Sequence, residues 1–179
     1  MKKFLIFTVI TLLSIGLAFS QEIELLKLTP NGVKPIVVEV EGMSASEMYK
    51  NSIRWVQETF KNPDEVLKAN IENEKIRIDG FAFNAWWFKS LGTKLSLDME
   101  YTVSIDFKDG RYRFEFNVGQ FWGDGQKVLY DYTLFFNKKG EVKNTYEDAV
   151  PSLELTMNAL SFSFYNYVTG KTKEKNDDW

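Results

Sequence analysis

The 179-residue chain contains no cysteine and no histidine. Without a thiol there is no disulfide, no thiolate metal site and no cysteine for lipid attachment, so the protein is not expected to be a lipoprotein. Without an imidazole, the usual general base near neutral pH and the commonest metal ligand are both missing. Serine or cysteine triads and histidine-ligated zinc are therefore excluded. Basic clusters are lacking too: 22 Lys+Arg stand against 25 Asp+Glu, for a net charge of −3. That balance argues against nucleic acid as a partner. Long apolar runs are limited to one, residues 4–17, which falls short of the roughly 20 residues a membrane-crossing helix needs, so no transmembrane segment is expected.

That run reads differently. Lys2 and Lys3 precede it, and Ala18-Phe19-Ser20 follows just before Gln21, which is the pattern of an export signal. The expectation is a signal peptide over residues 1–20, cleaved after Ser20, and a periplasmic or extracellular protein. The remainder reads as one domain over residues 21–170, long enough to bury about 68–70% of its unfolded surface. Residues 171–179 form a charged tail without periodicity, expected to be mobile.

Residues 42–62 carry the strongest local signal. Ser44 and Glu47 form an S-x-x-E capping box, with Met43 and Met48 at the staple positions and Pro63 to stop the helix. Tyr49, Ile53, Val56 and Phe60 recur at helical spacing with Met48, Trp55 and Thr59 beside them, so this face, Trp55 included, is expected to pack. A second helix is expected to begin around residues 145–148 and run to Thr169-Gly170. Leu153, Met157, Leu160, Phe164 and Val168 mark one face of it, while Leu155, Phe162 and Tyr165 predict burial on more than one side.

Period-two alternation marks the strands. Residues 21–28 read as a short edge strand, and residues 34–41 as a firm one with Ile36, Val38 and Val40 on one side. Leu67, Ala69 and Ile71, then Ile76 and Ile78, give a hairpin with one wet face. Gly80 breaks the pattern, so that Phe81 and Phe83 either change side at a bulge or stay on the outer face. Residues 95–107 alternate without a fault. If Asp109-Gly110 is a two-residue type I′ turn, Phe107 faces Tyr112, Ile105 faces Phe114, Val103 faces Phe116 and Asp106 faces Arg113. A further strand is expected over residues 128–136. The resulting class is α+β, in the order β-α-β(4-5)-α, with both helices packed on one face of a curved antiparallel sheet.

Val38-Glu39-Val40-Glu41-Gly42-Met43-Ser44, followed by Glu47, Tyr49, Trp55 and Phe60 and by Ile78-Asp79-Gly80, resembles the bacterial domain-of-unknown-function family 4468. The resemblance implies export and a TATA-binding-protein-like (TBP-like) fold. It implies no activity, and a fold named after a DNA-binding protein is no argument for DNA binding.

Two groups of residues compete as sites. Phe83, Trp86, Trp87 and Phe88, with Phe121 and Trp122 from the next glycine-rich break, read either as a loop folded over the open end of the core or as a surface for an apolar or sugar-containing ligand. Asp98 and Glu100 project from one strand face, where they are either solvated side chains or a carboxylate pair that could hold a metal or serve general acid–base hydrolysis. No nucleophile–base constellation exists. The expectation is a non-enzymatic ligand-binding or protein-interaction module of the cell envelope, with no catalytic residue, cofactor or metal. The alternatives are a carboxylate-based hydrolase and a structural envelope component.

Overall fold

Alternation between residues 95 and 107 sets the middle of the molecule, because it commits every second side chain to one side of a long strand. In the computed structural model, which describes residues 23–171, that strand is β6 (Thr93–Lys108). The expected signal segment and residues 172–179 of the tail lie outside the described residues. β5 (Lys75–Ser90) and β7 (Arg111–Gly123) flank β6, β4 (Leu67–Ile71) pairs with β5, and β3 (Ile36–Glu39) pairs with β7. The sheet is antiparallel and curved, with order β3-β7-β6-β5-β4. A small hairpin of β1 (Leu28–Thr29) and β2 (Gly32–Val33) precedes it, and β8 (Gln126–Lys127) extends β7.

Its inner face carries α1 (Ala45–Thr59) and α3 (Ala149–Val168); a single turn, α2 (Pro63–Val66), links α1 to β4. Met99, Val103 and Ile105 of β6, Phe114 of β7, Met48 of α1 and Phe164 of α3 are all fully buried in one cluster. No helix among the described residues is long and apolar enough to cross a membrane.

The register of β6 with β7 is the expected one: Phe107 faces Tyr112, Ile105 faces Phe114, Val103 faces Phe116 and Asp106 faces Arg113. The turn type is not. Only Gly110 takes positive φ (76°), whereas type I′ needs it at both positions. Asp109 is held otherwise, its carboxylate accepting from the Ala45 N–H at 2.9 Å. Type I′ backbone occurs instead at Leu91-Gly92 (φ 49° and 80°) and Asp124-Gly125 (48° and 74°).

The capping box forms as read: Ser44 Oγ accepts from the Glu47 N–H at 3.2 Å, and Glu47 accepts from the Ser44 N–H at 2.9 Å. Those bonds hold the Glu47 carboxyl below its ordinary pKa. With Asp109 they put two carboxylates at the positive end of α1. The buried stripe of α1 is Met48, Ser52, Trp55 and Val56, one position round from the expected Tyr49, Ile53 and Phe60, which are half-buried. Ser52 fits inside because its hydroxyl donates to the Met48 carbonyl at 2.6 Å. Trp55 packs edge-on against Phe164 at 5.1 Å and donates its indole N–H to Ser163.

Four expectations fail for tertiary reasons. Residues 23–27 are not a strand: Asn158 of α3 clamps the Leu26 backbone, accepting from its N–H at 2.8 Å and donating to its carbonyl at 3.0 Å. Ile71 is 50% exposed, because a bulge between Leu67 and Ala69 reverses the phase of β4. Residues 128–136 leave the sheet after β8 and form a 3-10 turn at Tyr132–Phe135, capped by Asp131. That turn buries the adjacent Phe135 and Phe136, which a strand cannot do on one face. Finally, of the three α3 residues expected to be buried off the main face only Tyr165 is, Leu155 being 73% and Phe162 37% exposed.

Replacing Trp55 with alanine is expected to cost about 3–5 kcal/mol in denaturant melts, the range for a buried aromatic, and Ser44→Ala about 0.5–2 kcal/mol. Equal, near-zero losses contradict the assigned face of α1.

A second expectation concerns alkali. Burial pushes the Tyr101 hydroxyl up to about 12 and raises Tyr112 as well. The unfolded chain releases these protons first, near pH 10. Stability is therefore full below that pH and falls as pH rises toward 12, by about 2 kcal/mol from Tyr101 alone. Urea midpoints measured from about pH 8 to pH 12 check this; a flat profile across the upper half contradicts it.

Candidate functional site

β5 does not run straight from Lys75 to Ser90. Ala82 pairs with Met99 and Trp86 with Leu97, so residues 83–85 bulge opposite Asp98 alone. Asn84 sits at the apex with φ 49°, a conformation asparagine tolerates better than most residues, and its N–H donates to Asp98 Oδ1 at 2.8 Å. A second bulge faces it from β7, where Met99 pairs with Phe121 and Tyr101 with Val118. Gly119 is required there, since a Cβ would stand 2.7 Å from the Glu100 carbonyl oxygen. Bulges on both sides bend the sheet at this level.

Beyond its bulge β5 has lost β4 as a neighbour, and α3 takes the place of that strand. Thr156 Oγ1 donates to the Ala85 carbonyl at 2.6 Å, and the Trp87 N–H donates to Ser152 Oγ at 3.1 Å.

This bend divides the six aromatics that the sequence grouped. Trp86 and Phe121 are both 0% exposed and belong to the core, so neither can meet a ligand at the surface. Trp86 lies 4.8 Å from both Phe121 and Phe135, and aromatic packing alone holds it, its indole nitrogen being buried without a partner. Phe88 is half-buried against Trp86 and Tyr146. The other three, Phe83, Trp87 and Trp122, are not core residues. The expected loop over the core is thus a strand that sends Trp86 inward and leaves its neighbour Trp87 half-exposed.

Phe83 and Trp122 are joined through Phe81. The Phe81 ring is 5.0 Å from Phe83 and 6.2 Å from Trp122, and Phe81 and Phe83 are 41% and 77% exposed. Glu100 fixes the Trp122 plane by accepting its indole N–H at 3.1 Å, and Lys127 lies over the ring at 5.2 Å. Trp87 carries Lys94 at 4.5 Å and Lys89 at 5.5 Å. Phe81, which the sequence left on either face, shares the parity of Arg77 and Asp79 and lies on the outer one; Lys94 and Lys127 had no sequence signal as site residues.

The carboxylates of that face are already in use. Asp98 holds the bulge, Glu100 holds Trp122, and Asp106 pairs with Lys75 at 3.1 Å and Arg113 at 3.8 Å. Among the described residues no three acidic side chains converge to hold a cation.

The fold has solved counterparts. A TBP-like protein from Parabacteroides distasonis is similar at 14% identity, covering 75% of this chain and 90% of that one, with a TM-score of 0.56. A DUF4468 family protein from Bacteroides ovatus is similar at 16% identity, covering 82% and 89%, with a TM-score of 0.52. At such identities the likeness speaks of fold alone. No curated protein matches the chain. Residues 36–122 match the family described as a domain of unknown function (DUF4468) with TBP-like fold, a stretch that runs from the first residue of β3 to Trp122 and spans both bulges. This chain therefore carries a DUF4468 domain over residues 36–122, on the TBP-like α+β fold.

Proposed function

We propose that the protein is a non-enzymatic binding module exported to the cell envelope, and that Phe81, Phe83 and Trp122 form the surface that holds its ligand. The observation that carries this reading is the aromatic cluster on the outer sheet face, in which Phe81 and Phe83 are exposed and Trp122 is half-buried beside them. Burying those rings inward was open to the fold, as Trp86 and Phe121 show, yet the bulge turns Phe83 outward. Exposed aromatic patches rimmed by polar groups mark interaction sites more often than chance surface. Glu100 supports the same reading, because an indole held in one plane loses little freedom when a ring or an apolar face stacks on it. Lys127 and Glu100 beside the rings supply a donor and an acceptor for polar groups of the ligand. Since Asp98 and Glu100 are both engaged in these structural bonds, they lend no support to a hydrolase. Export rests on Lys2, Lys3, the apolar run and Ala18-Phe19-Ser20.

The double variant Phe81→Thr, Phe83→Thr tests the triad, with the chain purified from Gln21 onward and assayed for retention on isolated envelope fractions. Threonine keeps strand propensity, so stability should change by no more than about 1 kcal/mol, whereas retention should fall about tenfold or more. Undiminished retention by a well-folded double variant contradicts the proposal.

A further inference from the structure

The β5–β6 hairpin outruns its neighbours. β7 pairs with β6 only as far as Asp98, and Phe88 is the last β5 residue that is even half-buried. Residues 89–96 are all exposed, the pairs Lys89–Lys94 and Ser90–Thr93 being closed by the turn at Leu91-Gly92. The hairpin thus ends in a finger whose apex stands about 10 Å beyond Phe88.

Two local rules are broken in this finger. Leu91 holds φ 49° at the first position of a type I′ turn, where asparagine, aspartate or glycine sits without strain, and its side chain is 103% exposed. The fold gains nothing from a bulky apolar group there. Lys89 and Lys94 stand directly opposite each other, an arrangement in which like charges repel. No acidic residue interrupts the run from Trp86 to Leu97. The acids around it lie toward the body. Asp148, with Glu147 beside it in sequence, precedes α3 and reaches Lys89 at 3.4 Å. Asp98 is four positions behind Lys94 on β6, and Asp124, two past Trp122, comes no further out than Ser96. Among the described residues Lys94 has no ion-pair partner, its ammonium lying 4.5 Å from the centre of the Trp87 ring.

A phospholipid surface answers both broken rules at once, since it takes the leucine out of water and sets phosphate against the two lysines. The order of residues along the finger matches the layers of such a surface. Interfacial segments bury their apolar side about 5–10 Å deep, which is the length of this finger. With the apex lowered to that depth, Leu91 meets the acyl chains, and Leu95, 42% exposed, follows it. Lys89 and Lys94 come level with the phosphates, where their long stems keep the charge in the polar layer. Trp87, half-exposed further back, reaches the headgroups, the depth that tryptophan favours.

We propose that this finger docks the protein on an anionic phospholipid surface, Leu91 entering the acyl layer while Lys89 and Lys94 hold lipid phosphates. The carboxylates behind it do not cancel the attraction, because they stay on the water side of the lysines, where salt screens charge beyond about 8–10 Å. The docking goes beyond the role proposed for the aromatic triad and does not rest on it.

Vesicle sedimentation of the chain from Gln21 to Trp179 tests this, with vesicles of phosphatidylethanolamine and phosphatidylglycerol set against phosphatidylcholine alone. The unaltered chain should sediment with the anionic vesicles and bind more weakly as salt is raised toward about 1 M, where screening acts within about 3 Å. Leu91→Asn suits the turn, so it should melt no lower than the unaltered chain, yet bind about tenfold more weakly or worse. Lys89→Gln/Lys94→Gln should lose about tenfold or more on the anionic vesicles. Because the chain has no cysteine, Ser90→Cys carries a single environment-sensitive fluorophore beside the apex, and its emission should move to the blue on binding. Failure of the unaltered chain to bind anionic vesicles overturns the proposal, as does full binding by folded Leu91→Asn. Retention on envelope fractions that depends on Leu91, in a chain that ignores protein-free vesicles, assigns the finger to a protein partner and overturns it equally. The triad is read on envelope fractions and the finger on pure lipid, so the two proposals fail separately.

Discussion

An unbroken alternation along β6 imposes a one-sided core on this protein. From Leu97 to Phe107 every second side chain is buried and every intervening one is at least partly wet. A strand with that pattern can be covered on one face only, so α1 and α3 must share the same side and must touch each other across it. The opposite face then has to be made soluble. It is laced with charge pairs such as Lys75–Asp106 and Arg77–Asp79, each worth about 0–1 kcal/mol at this exposure. Those pairs keep the face wet, while the stability comes from the aromatic and aliphatic side chains beneath it.

The proposed binding surface lies where this regularity is interrupted. The facing bulges at residues 83–85 and around Gly119 bend the sheet on both sides of residues 98–100, and the bend decides which aromatic goes where. Trp86 and Phe121 close the end of the core. Phe81, Phe83 and Trp122 are left outside, with Phe81 in ring contact with each of the other two. α3 underwrites the division, since Ser152 and Thr156 satisfy the β5 backbone that no neighbouring strand reaches. A helix side chain standing in for a strand recurs at Asn158, which binds both backbone groups of Leu26.

What the sequence revealed and what it hid follow from how local each feature is. The capping box of α1 needs only residues 44–47, and the β6–β7 register needs only two alternating runs and the loop between them; both were legible. The turn type at Asp109-Gly110 was not, because Asp109 answers to Ala45, 64 positions away. Residues 128–136 alternate well enough for a strand, yet burying Phe135 and Phe136 together outweighs the pattern. Ile71 has the parity of a core residue until the β4 bulge reverses it. The candidate site was half-legible for the same reason: its aromatics are conspicuous, but their division depends on a bulge whose extra residues carry no strong signal beyond Asn84. The side taken by Phe81 stayed open because Gly80 beside it reads as a break, when Gly80 in fact keeps regular register and makes room for the Tyr101 ring.

The central claim is that the β5 bulge buries Trp86 and exposes the outer aromatics. Hydroxyl-radical footprinting of the folded protein, read tryptophan by tryptophan by mass spectrometry, tests it most directly. Trp87 and Trp122 should be oxidised readily while Trp86 is protected as fully as Trp55. Oxidation of Trp86 at the rate of its neighbour Trp87, in protein that still protects Trp55, contradicts the account.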